Sequence, residues 1–222
     1  MSEELRIPFD SETVSALWDP AADPKALLIV AHGSGAGKDH PFMSGFATVL
    51  PGLGISTLRF NFPYMDAGKK FPDRAPRAVE VWKQVREWVA ENLASGLPVF
   101  AAGKSFGGRM ASAAVAEGMQ TPGLVFLGYP LHAPKKTEKL RDEHLYGLDT
   151  PMLFLQGTKD PFATPQLLED VVGKLRARAI LHWIEGGDHS FKTAYSGRTV
   201  EQDGAQLAEP VLRFIDSILP TH

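Results

Sequence analysis

The sequence predicts an α/β fold: a mostly parallel, doubly wound sheet with helices on both faces and no separate lid domain. The continuous apolar run Ala26–Ala31 is typical of a strand buried on both faces of a parallel sheet, and Met152–Gln156 is another predicted buried strand. These runs alternate with helical segments, which is the order expected when helices cover such a sheet. No linker-like stretch divides the chain, so we expect a single domain, residues 1–222.

Short apolar or mixed runs, bounded by Gly, Pro and Asp, predict the strands Thr13–Trp18, Ala26–Ala31, Ile55–Phe60, Val99–Ala102, Gly123–Leu127, Met152–Gln156 and Ala179–Ile184. Apolar periodicity or runs of small residues predict the helices Pro41–Leu50, Arg74–Ala94, Met110–Ala116, Pro165–Arg176 and Gln206–Ile218. The longest helix carries its apolar residues at helical spacing on one side, as a helix lying on a sheet requires. The segment Leu131–Thr150 spans only about 20 residues, which suits a long functional loop rather than a lid domain.

Composition narrows the classes of function. The formal net charge is −3, so we expect no nucleic-acid partner, because such binding needs a basic surface. We expect no membrane association, since no apolar run is long enough for a span. Residues Met1–Asp10 lack the apolar core of a signal peptide, which favours a cytoplasmic location. The chain has no cysteine, which excludes thiolate nucleophiles and cysteine-bound zinc, and we expect neither a cofactor nor a metal.

The strongest functional motif follows the apolar run Val99–Ala102. It reads Gly103-Lys104-Ser105-Phe106-Gly107, and a helix of small residues comes next. This order matches the G-x-S-x-G nucleophile elbow, a tight strand-to-helix turn that lifts a serine hydroxyl clear of the sheet. The same pattern also fits a glycine-rich turn with an unreactive serine. The residues elsewhere in the chain are needed to choose between these two interpretations.

A serine nucleophile needs a base, and the base needs a third group to fix its tautomer. Elbow enzymes carry these groups in the order Ser, Asp or Glu, His. Asp160 and His189 follow Ser105 in that order, and each comes directly after a predicted strand. We therefore expect Ser105, Asp160 and His189 to form a catalytic triad. Asp188 and Asp149 are the alternative acids, although side chains adjacent in sequence, as in Asp188 and His189, rarely align for a mutual hydrogen bond.

The oxyanion of a tetrahedral intermediate needs backbone N–H donors. One is the group after the nucleophile, Phe106, and the other comes from the loop after an early strand. That loop reads His32-Gly33-Ser34-Gly35, so either Gly33 or Ser34 is the expected second donor.

These motifs resemble those of the α/β-hydrolases over nearly the whole chain. The resemblance is to compact dienelactone-hydrolase-like proteins related to testis-expressed protein thirty and the non-specific-lethal complex subunits. It is carried by His32-Gly33, His40-Pro41-Phe42-Met43, Arg59-Phe60-Asn61-Phe62-Pro63-Tyr64, Gly103 to Arg109, Gly157-Thr158-Lys159-Asp160-Pro161-Phe162 and Asp188-His189-Ser190-Phe191. The resemblance implies an α/β-hydrolase fold with Ser105 as nucleophile, Asp160 as acid and His189 as base. Dienelactone hydrolases themselves use a cysteine nucleophile, which this chain lacks.

The expected substrate is a small acyl ester or thioester. The candidate substrate contacts are His32, Tyr64, His132, Phe162 and Phe191. Two other functions compete with this reading. The Gly-Lys-Ser sequence at Ser105 approaches a phosphate-binding loop, but the residues before it are apolar and belong to a strand. A non-catalytic binding or scaffold protein could also use the same fold, because a fold does not fix a function.

Overall fold

The computed structural model of the chain describes residues 2–69, 71–194 and 196–220. The strands are β1 (Glu3–Phe9), β2 (Glu12–Asp19), β3 (Ala26–Ala31), β4 (Ile55–Phe60), β5 (Val99–Lys104), β6 (Leu124–Leu127), β7 (Met152–Gly157) and β8 (Ala179–Ile184). The helices are α1 (Pro41–Ala47), α2 (Pro63–Asp66), α3 (Ala75–Asn92), α4 (Phe106–Ala116), α5 (Pro165–Leu175), α6 (Val200–Ala205) and α7 (Ala208–Ile218). Short 3₁₀ turns lie at Leu50–Leu53, Glu143–Gly147 and Arg176–Arg178.

The strands form one sheet in the order β1-β2-β4-β3-β5-β6-β7-β8. The strands from β4 to β8 in this order pair in parallel, whereas β1 pairs antiparallel with β2, and β2 antiparallel with β4. The parallel strands therefore end at one edge of the sheet, and the loops that follow β3, β5, β6, β7 and β8 meet there. Ligands of such sheets bind beyond these carboxyl ends.

Apolar side chains on the two faces of the sheet form two separate cores. Alternate residues of β3 show the division: Leu27 and Ile29 belong to one core, and Leu28 and Val30 to the other. Helices α3, α4 and α5 cover the first face, while α1 and α7 cover the second. Strands buried on both faces explain why the central runs are apolar throughout rather than alternating. The predicted mostly parallel sheet with helices on both faces is confirmed.

Three elements escape the sequence patterns. Helix α2 has only four residues, too few to show an apolar period. Strand β1 contains charged residues on its exposed side and buries only Ile7 and Phe9 fully, so it lacks the continuous apolar run of its neighbours. Helix α6 has only 6 residues, and a capping box between Thr199 and Gln202 stabilises it rather than an apolar stripe. Among the helices that the structure describes, none has the length and apolar character needed to cross a membrane.

A buried ion pair fixes β2 and β4 to the loop that follows β3. The guanidinium of Arg59 donates to Oδ2 of Asp19 at 3.0 Å, to the carbonyl oxygen of Lys38 and to Oγ of Ser44 in α1. The Arg59 side chain is 2% exposed and that of Asp19 is 10% exposed. A charge at this depth needs its partner, because desolvation penalises a lone ion more strongly than a paired one.

Replacement of Asp19 by Ala leaves Arg59 buried without its carboxylate. We expect the variant to lose about 3–5 kcal/mol of unfolding free energy, measured by urea denaturation. The control is Asp216→Ala, because the Lys25–Asp216 pair is 40% and 46% exposed. That change should cost no more than about 1 kcal/mol. Equal losses in the two variants would contradict this account of the pair.

Candidate active site

Ser105 lies in a strained turn between β5 and α4. Its backbone has φ 48° and ψ −111°, a region that costs a residue with a side chain about 1–3 kcal/mol. The turn closes because Gly103 and Gly107 carry no Cβ: one built on Gly103 would lie 2.2 Å from the Gly108 nitrogen, and one on Gly107 2.5 Å from the His32 carbonyl oxygen. Helix α3 supports the turn through Trp82, whose indole N–H donates to the Gly107 carbonyl at 3.0 Å.

His189 follows β8 in a compact turn. The Asp188 carboxylate accepts hydrogen bonds from the backbone N–H groups of Ser190 and Lys192 at 2.8 and 3.0 Å, which closes the turn around the histidine. Phe191 adopts φ 65°, and its fully buried ring stacks on Phe42 of α1 with 5.6 Å between the ring centroids. Burial of this ring anchors the turn to the core and offsets its backbone strain.

The three expected triad side chains form one continuous chain of hydrogen bonds. Nδ1 of His189 lies 2.6 Å from Oδ2 of Asp160, and Nε2 lies 2.9 Å from Oγ of Ser105. A carboxylate oxygen only accepts, so Nδ1 carries the ring proton of the neutral imidazole. Nε2 is then free to accept the proton of the serine hydroxyl, which is the arrangement that a general base requires.

Asp160 is oriented by three donors. Its side chain is fully buried, and besides His189 it accepts from Nε2 of Gln156 at 2.6 Å and from the backbone N–H of Phe162 at 2.8 Å. The alternative acids have other partners. The Asp188 carboxylate binds the N–H groups of its own turn, and Asp149 lies on the surface beside Arg178.

The loop after β3 lies directly beside the serine. A Cβ built on Gly33 would be 3.7 Å from Cβ of Ser105, and Gly33 and Ser34 both line the cavity at the nucleophile. On the other side Phe106 begins α4, and the first N–H groups of a helix have no partner within it. The residues of the predicted oxyanion donors therefore lie beside Ser105.

His32 and Tyr64 stabilise this loop by hydrogen bonds to its carbonyl oxygens. Nδ1 of His32 donates to the Gly33 carbonyl at 2.6 Å, and Nε2 accepts the Phe62 N–H at 3.0 Å. The Tyr64 hydroxyl donates to the Ser34 carbonyl at 3.2 Å. Both side chains are at most 1% exposed, so they support the loop rather than contact a ligand.

A cavity of about 490 Å³ opens beside the triad. Ser105 and His189 line it together with the loop 33–36, and Phe42 and Met43 of α1 and Val200 of α6 supply apolar wall. Within the described residues no cluster of three or more His, Asp or Glu side chains is arranged to hold a metal ion.

The structure does not bring the candidate substrate contacts to this cavity. His32, Tyr64 and Phe191 are interior, and His132 is 2% exposed, with its ring tied to Thr164 and to the Ala133 carbonyl. Phe162 lies beside the triad, since its ring centroid is 4.4 Å from that of His189. The interior side chains of Tyr64 and Phe191 pack against the core and thereby anchor the loops around the triad.

Comparison with known proteins identifies the family and the fold. Residues 24–216 match the alpha/beta hydrolase domain family. The chain belongs to this family. It is similar to a dienelactone hydrolase from Anabaena variabilis, with a TM-score of 0.79, 19% identity and coverage of 99% of each chain.

Two further solved structures share the fold. One is an α/β serine hydrolase without a lid from Xanthomonas campestris, with a TM-score of 0.77, 21% identity and coverage of 100% of this chain and 96% of that one. The other is an α/β serine hydrolase homologue from Coxiella burnetii, with a TM-score of 0.77, 19% identity and coverage of 96% and 97%. The predicted dienelactone-hydrolase-like α/β-hydrolase fold is confirmed.

Two residues at the site were not singled out from the sequence. Gln156 is a polar residue at the end of the otherwise apolar strand β7, and this contrast was the available signal for its bond to Asp160. Lys104 stands inside the elbow motif itself, where the pattern allows any residue and therefore gives no signal.

The buried ring of His32 predicts a pH dependence of stability. Burial lowers the pKa of His32 to about 4, against the opposing effects of the Gly33 carbonyl and Asp66. Between about pH 6.5 and about pH 4, His32 is protonated in the unfolded chain but not in the folded chain. The unfolding free energy therefore falls as the pH drops through this range. Between pH 7 and pH 5 this group should remove about 2 kcal/mol of unfolding free energy, measured by urea denaturation.

The control variant is His32→Gln. It is needed because burial also lowers the pKa of His144 and His182, so these groups make the unfolding free energy fall with pH in the same direction. We expect the variant to be less stable at pH 7 and to show a smaller loss between pH 7 and pH 5. A variant with the same loss as the parent would show that His32 is not the group responsible.

Proposed function

We propose that the protein is a serine hydrolase that cleaves small acyl esters or thioesters through a Ser105-His189-Asp160 triad and an acyl-enzyme intermediate. The observation that carries the proposal is the unbroken hydrogen-bond chain from Asp160 through His189 to Ser105, at 2.6 and 2.9 Å. The family match and the hydrolase folds of the similar structures support hydrolase activity. A cytoplasmic location and a single domain stay predictions from the sequence.

In the proposed acylation, Oγ of Ser105 attacks the carbonyl carbon of the substrate while Nε2 of His189 takes the hydroxyl proton. Asp160 keeps the ring in the reactive tautomer and stabilises the imidazolium that forms. The carbonyl oxygen becomes an oxyanion, and the N–H groups of Phe106 and of Gly33 or Ser34 are its proposed donors. The bond to the leaving alcohol or thiol then breaks, and the leaving group receives the proton from His189.

Deacylation repeats these steps with water. Water attacks the acyl-Ser105 carbonyl, His189 takes one of its protons, and the second tetrahedral intermediate collapses to a carboxylic acid and free Ser105, which regains the proton. Esterases, thioesterases, amidases and acyltransferases share this chemistry. The small cavity and the absence of an inserted lid between residues 131 and 150 favour a small acyl group.

A non-catalytic binding protein on the same fold is not favoured. Such a protein would have no need to keep three side chains in one hydrogen-bond chain, nor the strained backbone of Ser105.

The direct test is labelling with a fluorophosphonate probe, which reacts with an activated serine. We expect the parent protein to be labelled and Ser105→Ala to be unlabelled. Ester hydrolysis by the variant should fall by about 10⁴-fold or more, because the covalent step is lost.

The matched control is Ser112→Ala. Ser112 also contacts a histidine ring, His144, at 2.8 Å, but it is buried within α4 and does not stand in a nucleophile elbow. This variant should keep its labelling. A folded parent protein that neither binds the probe nor hydrolyses any ester would refute the proposed function.

The size of the cavity predicts a preference for short acyl chains. With nitrophenyl esters, we expect kcat/KM for the acetate or butyrate to exceed that for chains of about twelve carbons by at least about tenfold. Val200→Asp places a charge on an apolar wall residue that is 47% exposed, and it should reduce kcat/KM for butyrate more than for acetate. A maximum at long chains would contradict this assignment.

A further inference from the structure

Lys104 reaches from the nucleophile elbow to the loop that carries His189. Its Nζ atom donates to the backbone carbonyl oxygen of His189 at 2.6 Å. Its stem passes beside the loop 33–36, since a Cβ built on Gly33 would lie 3.5 Å from Cγ of Lys104. The Lys104 side chain therefore starts in the turn that carries Ser105, passes the loop 33–36 and ends at residues 188–192, which we call the histidine turn.

Gly128, directly after β6, leaves the space that this contact needs. A Cβ built on Gly128 would lie 3.2 Å from Nζ of Lys104 and 3.5 Å from both Nδ1 and the carbonyl oxygen of His189. The residue also has φ 74°, a conformation that favours glycine. Gly128 in the loop after β6 therefore leaves room for both Lys104 and His189.

The surroundings of the ammonium are both aromatic and charged. Nζ lies 5.5 Å from the ring centroid of Phe191 and 6.0 Å from that of Phe42, within the range of cation–π attraction. Burial lowers the pKa of Lys104 to about 8, against the opposing charges of Asp160 and Asp188. The side chain therefore keeps its positive charge at neutral pH and below.

We infer that Lys104 is a positioning residue for the proposed triad: its ammonium fixes the His189 turn by a charge-assisted hydrogen bond to the His189 carbonyl oxygen. The inference rests on the proposed function. The hydrogen bond and the ring contacts hold the turn against the core, so that Nε2 stays aligned with Ser105.

The test is Lys104→Met, which keeps an unbranched stem and removes the ammonium. We expect kcat for a short nitrophenyl ester to fall by about 10- to 100-fold with KM changed by less than about twofold, because the ammonium is bonded to the His189 carbonyl oxygen and orients the histidine turn. Amide hydrogen exchange in residues 188–192 should become faster.

The control is Lys159→Met, which removes an exposed lysine next to Asp160 in the sequence. The backbone N–H of Lys159 donates to the Gly187 carbonyl oxygen at 2.9 Å, and this substitution keeps that bond. The variant should leave kcat and the hydrogen exchange of residues 188–192 within error. Gly128→Ala is the second variant: it crowds both Nζ and the ring, and it should lower kcat in the same way without changing net charge.

The outcomes separate the two proposals. A parent protein that is active, together with a Lys104→Met variant of unchanged kcat and unchanged exchange, would overturn the inference and leave the proposed function intact. A lower kcat with unchanged hydrogen exchange in residues 188–192 would also overturn it, because Lys104 would then not hold the histidine turn. A folded parent protein without esterase activity or probe labelling would remove the proposed function and this inference together.

Discussion

The hydrogen bond between Asp160 and His189 is the interaction on which the site depends. It joins the loops after β7 and β8 and leaves Nε2 directed at Ser105. Without it the imidazole could rotate or adopt the other tautomer, and the serine would have no base. The protein stabilises this bond on both sides: Gln156 and the Phe162 N–H orient the carboxylate, and the turn closed by Asp188 orients the ring.

The buried side chains around the site hold loops rather than ligands. His32 and Tyr64 bind the carbonyl oxygens of the loop beside the nucleophile, and Phe191 anchors the histidine turn in the core. Two residues, Ser105 and Phe191, adopt positive φ angles at the centre of this arrangement. Strain of this kind persists only where surrounding packing determines the conformation. The site is therefore built from loops that are anchored in the core, as the proposed reaction centre requires.

The sequence predicted the parallel sheet and the meeting of Ser105, Asp160 and His189 because both depend on local patterns. Apolar runs mark strands buried on both faces, and glycine-flanked turns at their ends mark where functional side chains collect. It did not predict that Tyr64 and Phe191 face inward, since an aromatic residue in a loop reads the same whether it contacts a ligand or the core. Nor did it single out Lys104 or Gln156, because their roles depend on partners from other strands.

The most direct test of the central claim is the protonation of the His189 ring, measured by nitrogen and proton NMR at neutral pH. The account predicts a proton on Nδ1 that resonates at low field because it is hydrogen-bonded to Asp160, and an unprotonated Nε2. The low-field signal should disappear in Asp160→Asn and persist in Ser105→Ala. A ring protonated on Nε2 in the free protein would contradict the account, because His189 could then not accept the proton of Ser105.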